Sequence, residues 1–486
     1  MLSSHGSLES LPLLEASASQ VAEAIEASSA NLYVIITHYD ADGLAAASII
    51  ARVLVKQDRP FIIRVVDQVD GDTLSLLPKG DYYVFTDLGS STIDKIIEMG
   101  FKPASVIDHH EPLRPKPIIE RRVHELNPHA FGINGGKEVS ASGLAYLVAK
   151  NMKCEDHLMA YLAIAGAVGD RQEEGAKGLT GINGSIVQDS LEKGWVRKNM
   201  GLRLYGVPRQ PLVKSLMYTI DPLLPGLTYD EVACHRFLES IGIPTKKPDG
   251  TLTTYKDLSA DEVSKLATAL IKHMLIKGFS PQAANSLFGC IYEFLYEFED
   301  SSLRYAHDFA QTLNACGRLK RPSIGLAIGL GNRKVLMQAE AISLEYRRRL
   351  AQYISLIRND SSYIRSLKSI QVMDLKNIVD ERILGAVSSI AISSYICNIT
   401  KPLISIALSS GGKIKVSARM HESMLKRGVN LGFIIKSAAE QVGGSGGGHE
   451  VAAGATIPLQ ALDKFFKLVD TLVEKALQQG AALEKR

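Results

Sequence analysis

Short apolar runs alternate with helix-like stretches along the N-terminal part of the chain. Four runs are rich in β-branched and aromatic residues: residues 32–37 (LYVIIT), 61–67 (FIIRVVD), 82–87 (YYVFTD) and 104–108 (ASVID). The segments between them, such as residues 44–54 (LAAASIIARVL), have the spacing of apolar residues that is typical of helices. Strands that alternate with helices predict an α/β domain with a mostly parallel sheet.

The pattern changes twice further along the chain. Residues 195–304 are mainly helical in pattern, with loop signals at several prolines, and residues 335–357 favour a long basic helix. A second, smaller α/β pattern begins near residue 371, with strand candidates SIQVMDL, LISIALS and KIKVSAR. It ends in a glycine-rich sequence, GGSGGGH, which we expect to form a loop, and a final helix.

Composition narrows the class of protein. The 486 residues suggest two to four domains, and 46% hydrophobic with 22% charged residues is typical of a globular chain. Five separated cysteines without a CxxC pair argue against a zinc ribbon or a disulfide framework. With no signal-peptide pattern, they favour the cytoplasm. Four serines, an asparagine and a threonine in the uncharged stretch 383–400 favour a buried core segment over a membrane span.

Polar residues follow the predicted strands at the point where each strand ends. His38, Asp40 and Asp42 follow the first run, Asp87 ends the third, and His109 follows the fourth. Asp170 ends a helix-like segment, residues 157–168. Each alone has a structural interpretation, since Asp-x-Asp-Gly often forms a turn and aspartate caps helices. In a parallel sheet the carboxyl ends of the strands lie at one edge, so we expect these residues to lie close together.

Carboxylate and imidazole groups at one edge predict a metal site. Two ions about 3.5–4 Å apart need six or seven ligands, one of them bridging. The expected ligands are His38, Asp40, Asp42, Asp87, His109 and Asp170. Asp87 stands alone after its strand and is our candidate for the bridge. Histidine among the ligands favours two Mn²⁺ ions, with Mg²⁺ as the alternative.

The motifs resemble those of the DHH phosphoesterase superfamily. HYDADG, the aspartate of VFTDLG, VIDHHEP and GAVGDRQ stand in the order of that family's four motifs. GGSGGGHEVAAGATI is similar to the signature of its DHH-associated domain, and LNACGRLKRPSIGLAI is similar to a segment of RecJ-type members. The chain more closely resembles compact archaeal RecJ-like exonucleases than the larger bacterial proteins.

The resemblance implies a domain organisation. We expect an N-terminal helical segment (1–30), a DHH catalytic domain (31–194, resumed at 305–334) and a mainly helical insertion (195–304) that is a candidate for partner docking. A linking helix (335–370) would lead to a DHH-associated substrate-binding domain (371–486), with a cleft between the two α/β domains.

The resemblance also implies roles for individual residues. Asp40, Asp42, Asp87, His109 and Asp170 resemble the family's metal ligands. His38 stands two residues before Asp40 as in RecJ-like members, whereas many other members space the equivalent histidine further away, so the resemblance leaves direct ligation by His38 open. Asp108 would orient a neighbouring histidine, and His110 would lie near the scissile phosphate. Asp87, Asp108 and His110 are therefore the predicted catalytic residues. Arg419 and His449 are similar to residues that contact phosphate or nucleotide.

A second predicted site surrounds the glycine-rich sequence. Gly446, Gly447 and Gly448 lack a Cβ, so their amides could approach an anion closely, although a flexible turn is the alternative. In KIKVSAR, Ser417 and Arg419 share one face of the strand, which is either a phosphate-binding wall or a solvated surface.

A basic stretch adds a further candidate. Residues 312–349 hold eight Lys/Arg and two Glu, a local net charge of +6 in a chain of +3. Arg318 is the preferred substrate contact there because the resemblance also supports it. For Arg347 to Arg349, the alternative to a phosphate contact is that they lie on a solvated face of a helix.

The predicted function is metal-dependent exonuclease action on single-stranded DNA or RNA by two-metal catalysis, in replication or repair. One alternative is a replisome scaffold that binds the GINS complex, as implied by relatives of that kind. Another is an oligoribonuclease or cyclic-dinucleotide phosphodiesterase. No membrane partner is expected.

Overall fold

The computed structural model describes residues 7–112, 119–120, 122–220 and 222–484. The ends of the first and last predicted segments, residues 1–6 and 485–486, lie outside this description. One unit comprises the chain up to Gly201 together with Phe288–Leu344, and the other comprises Leu202–Leu287 and the chain from Glu345.

The helices and strands of the first unit are given in chain order. Up to Leu202 they are α1 (Ser7–Glu26), β1 (Tyr33–His38), α2 (Ala41–Lys56), β2 (Phe61–Val66), α3 (Gly71–Ser75), β3 (Tyr82–Thr86), α4 (Ile93–Glu98), β4 (Ala104–Ile107), β5 (Ile119–Glu120), β6 (Val123–Leu126), α5 (Ala141–Asn151), α6 (His157–Gly169), α7 (Gly181–Glu192) and β7 (Val196–Leu202).

The helices and strands after Leu202 belong to the second unit and to the returning part of the first unit. In the insertion they are α8 (Leu212–Tyr218), α9 (Glu231–Ser240), α10 (Ala260–Ile276) and α11 (Pro281–Asn285). There follow β8 (Phe288–Phe294), α12 (Ala306–Arg318), α13 (Pro322–Gly329) and α14 (Leu336–Asn359). The C-terminal elements are β9 (Ile364–Ser366), β10 (Gln371–Asp374), α15 (Glu381–Ser393), β11 (Leu403–Leu408), β12 (Lys413–Arg419), α16 (Leu431–Glu440), β13 (Ser445–Gly448), β14 (Ala452–Pro458) and α17 (Leu462–Glu484).

The first sheet has the strand order β2-β1-β3-β4-β6-β5, and all neighbours except β5 and β6 run parallel. Alternate residues of β1 enter two apolar cores: Tyr33 and Ile35 enter one, and Val34 and Ile36 enter the other. Burial on both faces explains why the strand is a continuous apolar run. The α/β class and the mostly parallel N-terminal sheet are confirmed.

Strand register brings the polar residues to one edge. Thr37 pairs with Thr86, and Thr86 pairs with Ile107, so β1, β3 and β4 end at the same level. The residues after each strand, including His38 and Asp87, therefore lie side by side.

Helices α2 and α6, which carry predicted ligands, are joined at their far ends by Asp156. Its side chain caps α6 by accepting the N–H of Met159 at 2.9 Å. It also pairs with Arg52 at 2.7 Å and Lys56 at 2.8 Å, both on α2. The contact fixes the relative position of two helices that begin or end at the sheet edge.

The second sheet has the order β13-β14-β12-β11-β10-β9, and only β10 and β11 run parallel. GGSGGGH was predicted as a loop, and that expectation is wrong for residues 445–448, which form the edge strand β13. Without a Cβ the glycines fit closely against β14: a Cβ on Gly446 would lie 3.0 Å from that of Ala455.

Arg347 is a structural residue of the second unit. Its side chain is buried, with the guanidinium carbon 3.9 Å from the centre of the Tyr205 ring. It donates to the carbonyl of Tyr218 at 3.0 Å. The solvated-face alternative is therefore wrong for Arg347, because a helix face that packs on the insertion buries a long cationic side chain over an aromatic ring.

Predictions from the sequence also concerned membrane spans and cysteines. Within the described ranges, no helix combines the length and apolar character needed to cross a bilayer. All five cysteines are free thiols.

Asp156→Ala should lower the stability of the first unit by about 1–3 kcal/mol, since it removes a helix cap and two ion pairs. Burial raises the pKa of Asp156, but Lys56 and Arg52 outweigh burial and lower it from 3.8 to about 2. The stabilising form is the carboxylate, so its contribution is present above pH 4 and lost as the pH falls towards 2.

Urea unfolding followed by fluorescence of Trp195, the single tryptophan, measures this effect. Asp156→Asn keeps the cap acceptor and should lose only the ion-pair part. Equal stability of all three proteins at pH 7 would contradict the assignment.

Candidate functional site

The six side chains predicted as metal ligands lie together at the carboxyl edge of the first sheet. Their donor atoms form two sets within 4.8 Å of one another: His38 with Asp40 and Asp87, and Asp42 with His109 and Asp170. A third set joins Asp87 and His109 to His110, which was predicted as a catalytic residue and not as a ligand. Asp42, Asp87 and His109 are buried, whereas His38, Asp40 and Asp170 are about one-quarter exposed. The cluster thus has a buried floor and a side that solvent reaches.

Asp87 joins the sets. It is 3% exposed, and neither of its carboxylate oxygens accepts a hydrogen bond from the described residues. One oxygen lies 3.5 Å from Nδ1 of His38, and the other lies 3.2 Å from Nε2 of His109. The φ angle of Asp87 is +62°, in the left-handed region, and such strain is concentrated at functional sites.

His38 and Asp40 form the more exposed set. Asp40 caps α2 by accepting the N–H of Gly43 at 3.0 Å, and its other oxygen lies 3.0 Å from Nδ1 of His38. Burial lowers the pKa of His38, but the charge and hydrogen bond of Asp40 outweigh it, so that pKa is well above its usual value. The aspartate is therefore both a helix cap and a potential ligand.

Asp42 is held by the N-terminus of α5. Its oxygens accept the N–H groups of Ala141 at 2.7 Å and Ser142 at 3.0 Å, and the hydroxyl of Ser142 at 2.5 Å. Even so, burial, followed by the nearby charge of Asp87, raises the pKa of Asp42 to about 7. A positive charge placed between these carboxylates would reverse that shift.

His109 presents one ring nitrogen to the cluster. Its Nδ1 lies 2.6 Å from the carbonyl oxygen of Gly135, which can only accept, so Nδ1 carries the proton. Nε2 is then the ligand atom, and it lies 3.8 Å from both Asp42 and Asp170. Donation from the second ring nitrogen to a carbonyl is the usual way that proteins orient a metal-binding histidine.

Asp108 is turned away from the ligand sets. One oxygen accepts the N–H of Ser90 at 3.0 Å, and the other lies 2.8 Å from Nδ1 of His110. Burial raises the pKa of Asp108, but His110 outweighs burial and lowers it below its usual range. The contact fits an orienting role toward His110, which is partly exposed beside Asp87.

The residue set fits divalent cations. Oxygen and imidazole donors without thiolates suit Mn²⁺ or Mg²⁺. The buried oxygens of Asp87 accept no hydrogen bond from the described residues and face the imidazoles of His38 and His109, so a cation there would stabilise the carboxylate.

Sequence reasoning missed the residues that hold the ligands. Ser142, Gly135 and Gln172 contact Asp42, His109 and Asp170. The glycines of GINGGK indicate a close approach, and Ser140 before α5 indicates a helix start, but no pattern in the sequence specifies which residues they contact.

The predicted C-terminal site lies on three adjacent strands. Register places Ser417 of β12 beside Gly454 of β14, which in turn pairs with Gly447 of β13. A Cβ on Gly447 would meet nothing within 4 Å, and the hydroxyl of Ser417 is buried without a partner among the described residues. These three positions form a floor of small side chains.

Arg419 and His449 flank that floor. Arg419 donates to the hydroxyl of Ser389 at 2.9 Å and to the carbonyl of Ala418 at 2.8 Å. His449 follows Gly448 in a tight turn in which its N–H donates to the carbonyl of Ala452 at 2.8 Å. Both roles as substrate contacts stay predictions.

The NACGRL segment supports the loop that carries Asp40. Asn314 accepts the N–H of Ala41 at 3.1 Å, and Gly317 lies so close to the carbonyl of Tyr39 that a Cβ could not fit. Arg318, at the end of α12, is partly buried, and its substrate contact stays a prediction.

Comparisons with known proteins identify domains along the chain. Family models match residues 33–168 (DHH family, N-terminal domain), 204–288 (DHH-CID domain) and 368–475 (DHHA1 domain). An uncharacterized protein of Methanocaldococcus jannaschii is 30% identical over 454 residues, covering 92% of this chain and 94% of that protein. The chain belongs to the DHH superfamily.

Solved structures share this DHH fold. CDC45 from Entamoeba histolytica matches with a TM-score of 0.60 and 14% identity, over 96% of this chain and 98% of that one. RecJ from Thermus thermophilus, solved with Mn²⁺, matches with a TM-score of 0.53 and 16% identity, over 95% of this chain and 55% of that one. Both likenesses show that the chain shares its fold with these proteins.

Gly166→Ala should weaken binding of Mn²⁺ to this DHH domain by about tenfold or more. A Cβ at Gly166 would lie 2.5 Å from Oδ1 of Asp42 and still closer to the hydroxyl of Ser142, so the carboxylate must move. Alanine itself favours a helix, so α6 should persist.

Calorimetric titration of the metal-free protein measures the affinity, and circular dichroism checks the helix content. Ala165→Gly, which changes the buried neighbouring position, is the matched control. Wild-type affinity in Gly166→Ala would show that Asp42 does not bind the ion.

Proposed function

We propose that this RecJ-like protein is an exonuclease that hydrolyses phosphodiester bonds of single-stranded DNA or RNA with two divalent ions, Mn²⁺ preferred over Mg²⁺. The observation that carries the proposal is the geometry of Asp87, whose two oxygens face two different histidines. That is the arrangement a bridging carboxylate needs. A role in replication or repair belongs to the same proposal.

The ligands divide between two positions. His38 and Asp40 would hold one ion, Asp42, His109 and Asp170 would hold the other, and Asp87 would serve both. When bound, the ions supply a nucleophilic water and stabilise the attacking and leaving oxygens. Two histidines among the ligands support Mn²⁺ as the preferred ion.

His110 would act on the substrate. Its Nδ1 is held by Asp108 at 2.8 Å, so the ring is oriented by a contact outside the ligand sets. Burial and His109 lower the pKa of His110, but Asp108 outweighs them and raises it. A protonated ring could donate through Nε2 to a non-bridging phosphoryl oxygen, where charge develops during hydrolysis.

The DHHA1 domain would hold the adjacent nucleotide. Ser417, Gly447 and Gly454 form a floor without bulky side chains, and Arg419 supplies a cation beside it. Gly446, Gly448 and His449 would add donors for a phosphate. Arg318, from α12, is proposed as a further substrate contact.

Asp87→Asn should reduce hydrolysis by about 10³-fold, because the amide cannot bridge two cations. The assay uses single-stranded DNA and RNA oligonucleotides labelled at either end, with Mn²⁺ and with Mg²⁺. Asp67→Asn is the matched control, since Asp67 follows β2 at the same sheet edge but belongs to none of the ligand sets.

Mononucleotides released progressively from one end of a long strand would support an exonuclease. Cleavage of dinucleotides alone would instead indicate an oligoribonuclease or a cyclic-dinucleotide phosphodiesterase. Normal hydrolysis by Asp87→Asn would remove the two-ion mechanism.

Partner binding through the insertion is a second proposed function. The DHH-CID match and the fold shared with CDC45 favour docking to replisome proteins such as the GINS complex. Exposed apolar side chains on the insertion, Val232 of α9 and Leu275 and Ile276 of α10, are suited to such a contact.

Replacing Val232, Leu275 and Ile276 by serine should abolish co-purification with the GINS complex of the same organism and leave hydrolysis unchanged. Retained co-purification would exclude this surface. A control triple variant at exposed polar positions of the same helices, Glu239→Ser with Lys272→Ser and Lys265→Ser, should bind like wild type.

A further inference from the structure

Gln172 lies between ligands of one metal position. It is 2% exposed and follows Asp170 by two residues. Its Nε2 donates to Oδ2 of Asp170 at 2.7 Å and to the carbonyl of Gly135 at 2.9 Å. A buried amide with both of its donor directions used is fixed in place.

The orientation of the Gln172 amide, which decides whether its nitrogen or its oxygen faces Asp170, follows from its neighbours. The backbone N–H of Ser140 can only donate, and it donates to Oδ1 of Asn183 at 3.3 Å. Asn183 therefore presents Nδ2 to Oε1 of Gln172, at 2.7 Å. Oε1 is thus occupied, and Nε2 of Gln172 must face Asp170.

The same network reaches the other two ligands of this position. The carbonyl of Gly135 accepts from Gln172 and also from Nδ1 of His109, at 2.6 Å. Ser140 is the N-cap of α5, the helix whose first N–H groups hold Asp42. One buried polar network therefore supports Asp42, His109 and Asp170 together.

The other ligand set is held differently. Asp40 accepts the N–H of Gly43 in the first turn of α2, and His38 is held by Asp40. In the described part of the chain, Gln172 hydrogen-bonds to neither His38 nor Asp40. The two metal positions thus have separate supports.

We propose that Gln172 is a positioning residue for one metal position only, the one formed by Asp42, His109 and Asp170. It acts through the ligands and does not bind the ion itself. The inference rests on the proposed two-ion site and adds that the two ions can be lost separately. Asn183 is the residue that sets the direction of the Gln172 amide.

The test is Gln172→Met, which keeps the length of the side chain and removes its N–H donors. Metal-free full-length protein is titrated with Mn²⁺ by calorimetry, and the bound ions are observed by electron paramagnetic resonance. Wild type should bind two ions with an exchange-coupled spectrum. The variant should bind one ion at wild-type affinity and the second about 10–100-fold more weakly, with a six-line spectrum of isolated Mn²⁺ at one equivalent.

Asn183→Leu should weaken the same ion to a smaller degree, because Gln172 remains but its amide is no longer fixed. Gln188→Met is the matched control: Gln188 is exposed on α7 and bonds only Glu192 among the described residues. A purely structural role for Gln172 would lower the melting temperature while both affinities and the coupled spectrum stayed as in wild type.

The results of these experiments test the role of Gln172 and the proposed exonuclease function separately. Two ions at wild-type affinity in Gln172→Met, or equal weakening of both, would overturn the inference and leave the exonuclease proposal intact. A wild-type protein that binds two ions but cuts no nucleic acid would remove the proposed function and leave the role of Gln172 standing. Fewer than two ions in wild type would overturn both.

Discussion

Three carboxylates and two imidazoles meet where β1, β3 and β4 end, and the buried carboxylate of Asp87 at their centre has no hydrogen-bond donor among the described residues. Burial, followed by repulsion from the neighbouring charge of Asp87, raises the pKa of Asp42. Helix N–H groups stabilise Asp42, and Asp108 is stabilised by Ser90 and His110. Among the described residues, the groups that face the Asp87 oxygens are the imidazoles of His38 and His109, so a cation bound there would stabilise its carboxylate. The rest of the site is arranged around that carboxylate.

The fold assembles this site through the ends of its elements. Parallel strands bring residues distant in sequence to one edge, α2 begins there with Asp40 and Asp42, and α6 ends there before Asp170. Small residues let the parts approach: a Cβ at Gly135 or Gly166 would collide with His109 or Asp42. Asp156 fixes α2 and α6 at their opposite ends, so the positions of the ligands depend on packing far from them.

That these side chains lie together was predictable from the sequence, because each candidate ligand follows an apolar run whose end is visible in the pattern. The supports were not predictable. Gly135 and Ser142 act on their partners through contacts set by tertiary packing. Gln172 ends the motif GAVGDRQ, but the motif does not indicate which groups its amide contacts. The edge strand β13 was missed because glycine is depleted in strands, and its pairing with β14 overrides that preference. Arg347 was counted with a basic surface, although its helix face packs on the insertion.

The most direct test is anomalous X-ray diffraction from crystals soaked in Mn²⁺, recorded at the manganese absorption edge. The account predicts two peaks about 3.5–4 Å apart. One oxygen of Asp87 should contact each ion, with His38 and Asp40 on one side and Asp42, His109 and Asp170 on the other. A single peak, or two peaks that do not share Asp87, would contradict it.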